Sequence, residues 1–177
     1  MYHLFAQPGY SCLDGKITEK LREWRVAGKD VGQLGSNNGR ELISLENLGA
    51  ARAVGFDISD AAVDEVRSLA RHAGVETEFV RTDIYEIPKK YNNRFDLLYI
   101  SIGILPWMPN LSGLFQVAAR ILRAGRYLFT RCISLCRWSM KAERGSGATA
   151  RVVLPKRAMG RYRQSRLLLA YRISAKP

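Results

Sequence analysis

Gly35 and Gly39 bracket a short turn, Gly35-Ser36-Asn37-Asn38-Gly39, between the apolar run Val31–Leu34 and the helix-forming stretch Glu41–Leu48. A turn built this way lets a ligand approach bare backbone and meet the positive end of the following helix. An acidic residue, Asp57, ends the next apolar run, 18 positions after Gly39. A carboxylate there can accept hydrogen bonds from both hydroxyls of a ribose, so the pair points to an adenosine-containing ligand. The spacing is not Gly-x-Gly-x-x-Gly: Asn37 stands where the second glycine would be and Arg40 where the third would be. Dinucleotide binding loses support on that count. Taken singly, the two glycines also read as a strand end and a helix start, and Asp57 as a helix-start residue beside Ser59.

Positioning these groups requires a strand, turn and helix in succession, and the chain repeats that plan. Short apolar runs alternate with amphipathic stretches from Asp30 onward, which predicts βαβ units and a parallel sheet. The predicted strands are Val31–Leu34, Ala51–Asp57, Thr77–Arg81, Phe95–Ile100 and Arg126–Phe129. Helices are predicted from Glu41 to Leu48, stopped by Gly49, and from a Ser59 cap onward with Val63, Val66 and Leu69 on one side. A third covers Leu111 to Leu122, and a leading helix covers Ile17 to Val26. This divides the chain into an N-terminal arm with its leading helix (1–29), a core (30–130) and a basic region (131–177).

Charge separates the last region from the rest. Residues 1–130 hold 16 Lys/Arg against 15 Asp/Glu, whereas residues 131–177 hold 12 against one, within a total net charge of +12. Such a tail raises a nucleic-acid partner as a second hypothesis, with Arg161, Arg163, Arg166 and Arg172 gripping phosphates and Tyr162 and Tyr171 stacking bases. Two apolar runs, Arg151–Leu154 and Leu167–Ile173, offer a terminal strand pair. The scarcity of acids and the cluster Arg144-Gly145-Ser146-Gly147 argue against sheet, and favour disordered or out-of-frame sequence. Three cysteines, Cys12, Cys132 and Cys136, have no Cys-x-x-Cys spacing, so they read as free thiols with no disulfide framework and no metal site. No apolar run is long enough to span a bilayer, and the beginning of the chain lacks a signal-peptide layout, so a cytoplasmic protein without a membrane partner is expected. His3 and His72 show no partner in sequence, and no catalytic base is assigned.

Leu34-Gly35-Ser36-Asn37-Asn38-Gly39 resembles the first motif of class I S-adenosylmethionine-dependent methyltransferases, and Gly55-Phe56-Asp57-Ile58-Ser59 resembles the second. Arg81-Thr82-Asp83-Ile84 resembles the acidic turn after the third strand, Phe95–Gly103 the fourth-strand motif, and Leu122–Tyr127 the loop before the fifth strand. No single element is specific, but five in order are, and they span about Trp24 to Phe129. The resemblance implies a Rossmann-like, doubly wound α/β fold with a mainly parallel sheet, S-adenosylmethionine as cofactor, and methyl transfer. It further implies that Gly35, Ser36, Asn37 and Gly39 line the methionine and ribose portion of that cofactor, while Asp57 holds the ribose hydroxyls. By the same resemblance Ile58 packs on adenine, Asp83 accepts from the adenine amine and Ile84 supplies an apolar wall. Ser101 and Ile102 would border the sulfonium and the substrate. Two departures stand out: Asn37 replaces a glycine, and Ala124-Gly125-Arg126 replaces the usual Pro-Gly-Gly.

Sulfonium methyl transfer relies largely on alignment, so a strong base is dispensable. No Asn-Pro-Pro-Tyr follows the fourth strand. The stretch Ser101–Trp107 is apolar instead, which favours a small, partly hydrophobic acceptor; Trp107 reads either as rim packing or as a substrate platform.

Overall fold

The computed structural model describes residues 2–75, 77–100, 104–132, 148–152 and 167–175, with side chains placed up to Ala124. Its elements alternate as expected: α1 (Gly15–Glu23), β1 (Asp30–Leu34), α2 (Arg40–Asn47), β2 (Arg52–Asp57), α3 (Asp60–Ala73), β3 (Glu78–Arg81), β4 (Phe95–Ile100), α4 (Leu111–Ile121), β5 (Leu122–Cys132), β6 (Ala148–Val152) and β7 (Leu167–Ala175). The five strands predicted from sequence fall on β1 to β5, and the four predicted helices on α1 to α4.

The sheet order is β3-β2-β1-β4-β5-β7-β6. Strands β1 to β5 pair in parallel, and β7 runs antiparallel to both β5 and β6. Alternation along β4 shows why its whole run is apolar. Leu97 and Tyr99 pack with Ile17 and Leu21 of α1 and Leu42 and Leu45 of α2 on one face. Leu98 and Ile100 pack with Leu114, Val117, Ala118 and Ile121 of α4 on the other. A parallel strand buried on both faces has no polar side to show.

Local signals set the helix boundaries. Ser59 Oγ accepts from the Ala62 N–H at 3.4 Å to start α3, and Gly74, in the left-handed region, ends it. Asn110 Oδ1 accepts from the Gly113 N–H at 2.9 Å at the head of α4. In the first half of β5 the pairing shifts: Leu122 stands opposite Phe95 and Tyr127 opposite Leu97. The segment where Ala124-Gly125-Arg126 departs from the expected Pro-Gly-Gly is therefore a bulge in the β4–β5 ladder.

The basic region requires a correction. Two strands of the sheet fall in it: β7, which takes in the run Leu167–Ile173, with Tyr171 opposite Leu128 and Leu169 opposite Thr130, and β6 (Ala148–Val152), which takes in Arg151 and Val152 of the other run, with Val152 opposite Tyr171. The reason is local: Leu167–Ala175 carries one charge in nine residues and is rich in strand formers, although the region around it is basic. Residues 133–147 and 153–166, including the Arg144–Gly147 cluster and Arg161, Tyr162, Arg163 and Arg166, lie outside the described residues. Among the described residues no helix is long and apolar enough to cross a membrane.

Candidate functional site

In a parallel α/β sheet the crevice forms at the carboxyl ends of the strands, where the order reverses. Here that place lies between β1 and β4. The turn after β1 is tied to β2 by two backbone hydrogen bonds to the Phe56 carbonyl, from the Gly35 N–H at 2.9 Å and the Ser36 N–H at 3.1 Å. Gly35 has φ +68°, and a Cβ built on it would lie 2.6 Å from Ile104 Cδ1, so a bare backbone is required there. The Asn37 backbone also sits in the left-handed region, at φ +46°, which asparagine tolerates better than most residues. Its N–H donates to Asp57 Oδ2 at 2.7 Å, while Asp57 Oδ1 accepts from the Ser59 N–H at 3.0 Å. Each carboxylate oxygen keeps a further lone pair for a ligand.

These residues border a cleft of about 480 Å³ lined by Cys12, Gly35, Ser36, Asn37, Asn38, Arg40, Glu41, Asp57, Ile104 and Trp107. Four of the sequence-predicted site residues, Gly35, Ser36, Asn37 and Asp57, come together there. Ser36 Oγ is buried and makes no hydrogen bond. Gly39 stands behind the turn: it caps α2 at φ +74°, and a Cβ on it would lie 1.9 Å from Val66 Cγ2. Ile58, next to Asp57, is 65% exposed. Asp83 caps a short turn by accepting from the Tyr85 N–H at 2.9 Å, and Ile84 packs into the core beside Phe56 and Val54. Gly39, Ile58, Asp83 and Ile84 are not among the residues lining the cleft. Ser101 and Ile102 lie outside the described residues.

Six lining residues were absent from the sequence-based set. Asn38, Arg40 and Glu41 continue the turn into α2 and were within reach of a longer motif. Ile104 and Trp107 belong to the apolar stretch already noted, and Trp107 is 81% exposed. Cys12 carried no sequence signal, because the N-terminal arm reaches the cleft only through a long-range contact. The Cys12 N–H donates to Ser44 Oγ at 3.0 Å, and that hydroxyl lies 3.3 Å from Cys12 Sγ. Burial pushes the thiol above its ordinary pKa, with the Ser44 hydrogen bond acting in the opposite direction. His72 is on the surface, its Nδ1 2.7 Å from the Ser68 carbonyl, and His3 is exposed. Among the described residues no group of three His, Cys, Asp or Glu side chains is placed to hold a metal.

Comparison with known proteins bears on the fold and the family. The S-adenosylmethionine-dependent methyltransferase of Mesorhizobium loti superposes with a TM-score of 0.54 at 24% identity, over 64% of this chain and 51% of that one. A structure described as the conversion of a disulfide bond into a thioacetal group during echinomycin biosynthesis gives a TM-score of 0.63 at 17% identity, over 89% of this chain and 82% of that one. The fold is that of the class I S-adenosylmethionine-dependent methyltransferases. Over residues 31–125 the chain matches the family described as "Methyltransferase domain", and it belongs to that family. It is also 34% identical over 84 residues to the ribosomal protein L11 methyltransferase of Aquifex aeolicus, an alignment covering 48% of this chain. The chain spans about a third (33%) of the length of that relative.

Proposed function

We propose that the chain binds S-adenosylmethionine in the cleft beside the Gly35 turn and transfers its methyl group to a small, partly hydrophobic acceptor. The observation that carries this reading is the juxtaposition of a glycine-opened turn with Asp57, linked through the 2.7 Å hydrogen bond from Asn37. Asp57 is thereby fixed in position with acceptor capacity to spare for two ribose hydroxyls. The Gly35 turn, packed against Ile104, borders the cleft, and the orphaned Ser36 hydroxyl supplies a further polar contact. The donor residues present thus fit an adenosyl ligand. Ile58, exposed beside Asp57, supports an adenine-covering role, and Ile104 and Trp107 support an apolar acceptor site across the cleft.

Held by the Gly35-Ser36-Asn37 turn and Asp57, the cofactor would supply an activated methyl on sulfonium, open to displacement by an acceptor's lone pair with the bonding electrons left on sulfur. What this chain contributes is alignment and exclusion of water, worth several kcal/mol when the reacting atoms are held in line. The test is isothermal titration with S-adenosylmethionine and S-adenosylhomocysteine. Binding of either is expected, and Asp57→Ala is expected to weaken it by about 1.5–3 kcal/mol. A folded protein that shows no heat with either ligand would sink the reading.

A further inference from the structure

The starts of the parallel strands carry a row of cations that the ion pairs between strands do not use up. In the sheet order β2-β1-β4-β5, Arg52 opens β2, Lys29 immediately precedes β1, Arg94 immediately precedes β4 and Arg123 is the second residue of β5. Four neighbouring strands thus each begin with a positive residue, and at about 4.8 Å per strand the row extends over roughly 14 Å. Arg52 is taken up by Glu78, and Arg123 by Asp30 and Asp96. Lys29 and Arg94 make no ion pair among the described residues. Beside the row, Lys90 lies over the Tyr91 ring, and Arg120 is held by the Asn92 side chain and the Ile87 carbonyl, neither of them an acid. The carboxylates near the ends of α1 and α2, Glu23 and Glu46, are engaged by Lys20 and Thr77. The backbone under the two unpaired cations is pinned: the Ala51 N–H donates to the Lys29 carbonyl at 2.9 Å, and the Arg94 N–H donates to the Ile121 carbonyl at 2.9 Å. At the cleft end, by contrast, Arg81 pairs with Asp60 and Arg40 with Glu65.

We infer that this row docks the phosphate backbone of a nucleic acid strand, at the end of the sheet opposite the cleft. Cations placed one per strand on a pinned backbone suit a polyanion whose own charges repeat regularly, and binding it releases the counterions condensed along it. An acidic protein segment has no such fixed repeat. A lipid surface would gain from apolar side chains at the rim, but Val26, Tyr91, Phe95 and Leu122 are buried at this end, and the exposed large hydrophobics among the described residues, Ile58 and Trp107, stand at the carboxyl ends of the strands. The five residues of β1 set the two ends roughly 16 Å apart. The docked strand is therefore an anchor, separate from the methyl acceptor, and its binding does not depend on the cofactor reading.

The test is fluorescence anisotropy of a labelled oligouridylate of about 20 nucleotides against the full chain, from about 50 to about 200 mM potassium chloride. Wild type is expected to bind, with affinity falling steeply as salt rises. In Lys29→Gln/Arg94→Gln the affinity is expected to fall about tenfold, and the slope of log affinity on log salt to flatten by about 1.4, the release of two counterions from a single strand. Its melting curve should match that of wild type, because neither residue holds an ion pair. Should the double variant fail to fold, Arg94→Gln alone, at an exposed position, is expected to flatten the slope by about half as much. A matched control, Arg161→Gln/Arg163→Gln, removes the same charge from the basic region and is expected to lose less affinity than the double variant. A folded wild type that does not bind at low salt, or a control that loses as much as the double variant, overturns the inference. Tighter wild-type binding to phosphatidylcholine vesicles containing phosphatidylserine, or to polyglutamate, than to the oligonucleotide would assign the row to a lipid or an acidic protein and overturn it as well.

Discussion

The two ends of the parallel strands are built on opposite principles. At the carboxyl ends, around the cleft, Trp107 and Ile58 stand 81% and 65% exposed and Ser36 Oγ is buried without a hydrogen bond. At the amino ends, charged groups close on one another. Arg123, at the start of β5, donates to Asp30 Oδ2 at 2.8 Å and to Asp96 Oδ2 at 2.7 Å, joining the beginnings of β1, β4 and β5. The Asp30 N–H donates to the same Asp96 oxygen at 3.1 Å. At the starts of β2 and β3, Arg52 pairs with Glu78, and the Tyr91 hydroxyl donates to Glu78 Oε1 at 2.6 Å. One end keeps apolar surface and hydrogen-bonding capacity open for a ligand, and the other spends its polar groups holding strands together. The consequence is a separation of effects: damage at the amino ends should cost stability without cost in affinity, and damage at the carboxyl ends the reverse.

The largest expected departure tests whether the two ends together suffice. Every cleft residue and every ion-pair residue named above precedes Gly125, so deleting residues 131–177 leaves both ends intact but removes β6 and β7 and bares the outer edge of β5. An unpaired edge templates association. Thermal denaturation followed by circular dichroism, with light scattering, should show a lower midpoint or aggregation. An unchanged cooperative transition would mean that the terminal strands add nothing to the domain.

Next in size is Arg123→Met. It leaves Asp30 and Asp96 facing each other in a partly buried setting, and the guanidinium is 36% exposed, which limits the effect. A loss of about 1–2 kcal/mol is expected, equivalent to roughly 2–8 °C in melting temperature. Affinity for S-adenosylhomocysteine should stay within twofold of wild type. A matching loss of affinity would show that the amino ends shape the cleft and would break the comparison.

The strands and helices were legible in the sequence because short apolar runs and capping residues are local signals, as Ser59 and Gly74 show at the two ends of α3. The turn and Asp57 were legible too, being consecutive motifs at the ends of neighbouring strands. What escaped was long-range. Cys12 reaches the cleft through Ser44, 32 residues away. Glu41 is turned inward by Gln33 and Tyr99, and only the β1–β4 pairing brings those two together. In the basic region the run Leu167–Ile173 was legible as a candidate strand, and the average composition of residues 131–177 misled by weighing against it.

The smallest effect gives the sharpest view of the amino ends because it depends on pH. Burial alone would push the Glu78 carboxyl up; hydrogen bonds from Tyr91 and Arg52, with the charge of Arg52, outweigh it and hold the pKa below the ordinary value. A carboxylate with a depressed pKa adds stability that is present above its unfolded value and is lost as the pH falls through its folded one. Glu78→Gln removes that titration. The wild type should be more stable than the variant at neutral pH by about 0.5–1 kcal/mol, a modest figure because Arg52 and Glu78 are both substantially solvent-exposed. The difference should shrink as the pH drops below about 4.3, the ordinary glutamate value. Paired melting curves between neutral pH and about pH 3 measure it. A stability gap that stays constant across that range would mean that Glu78 acts through shape and packing, not through its charge.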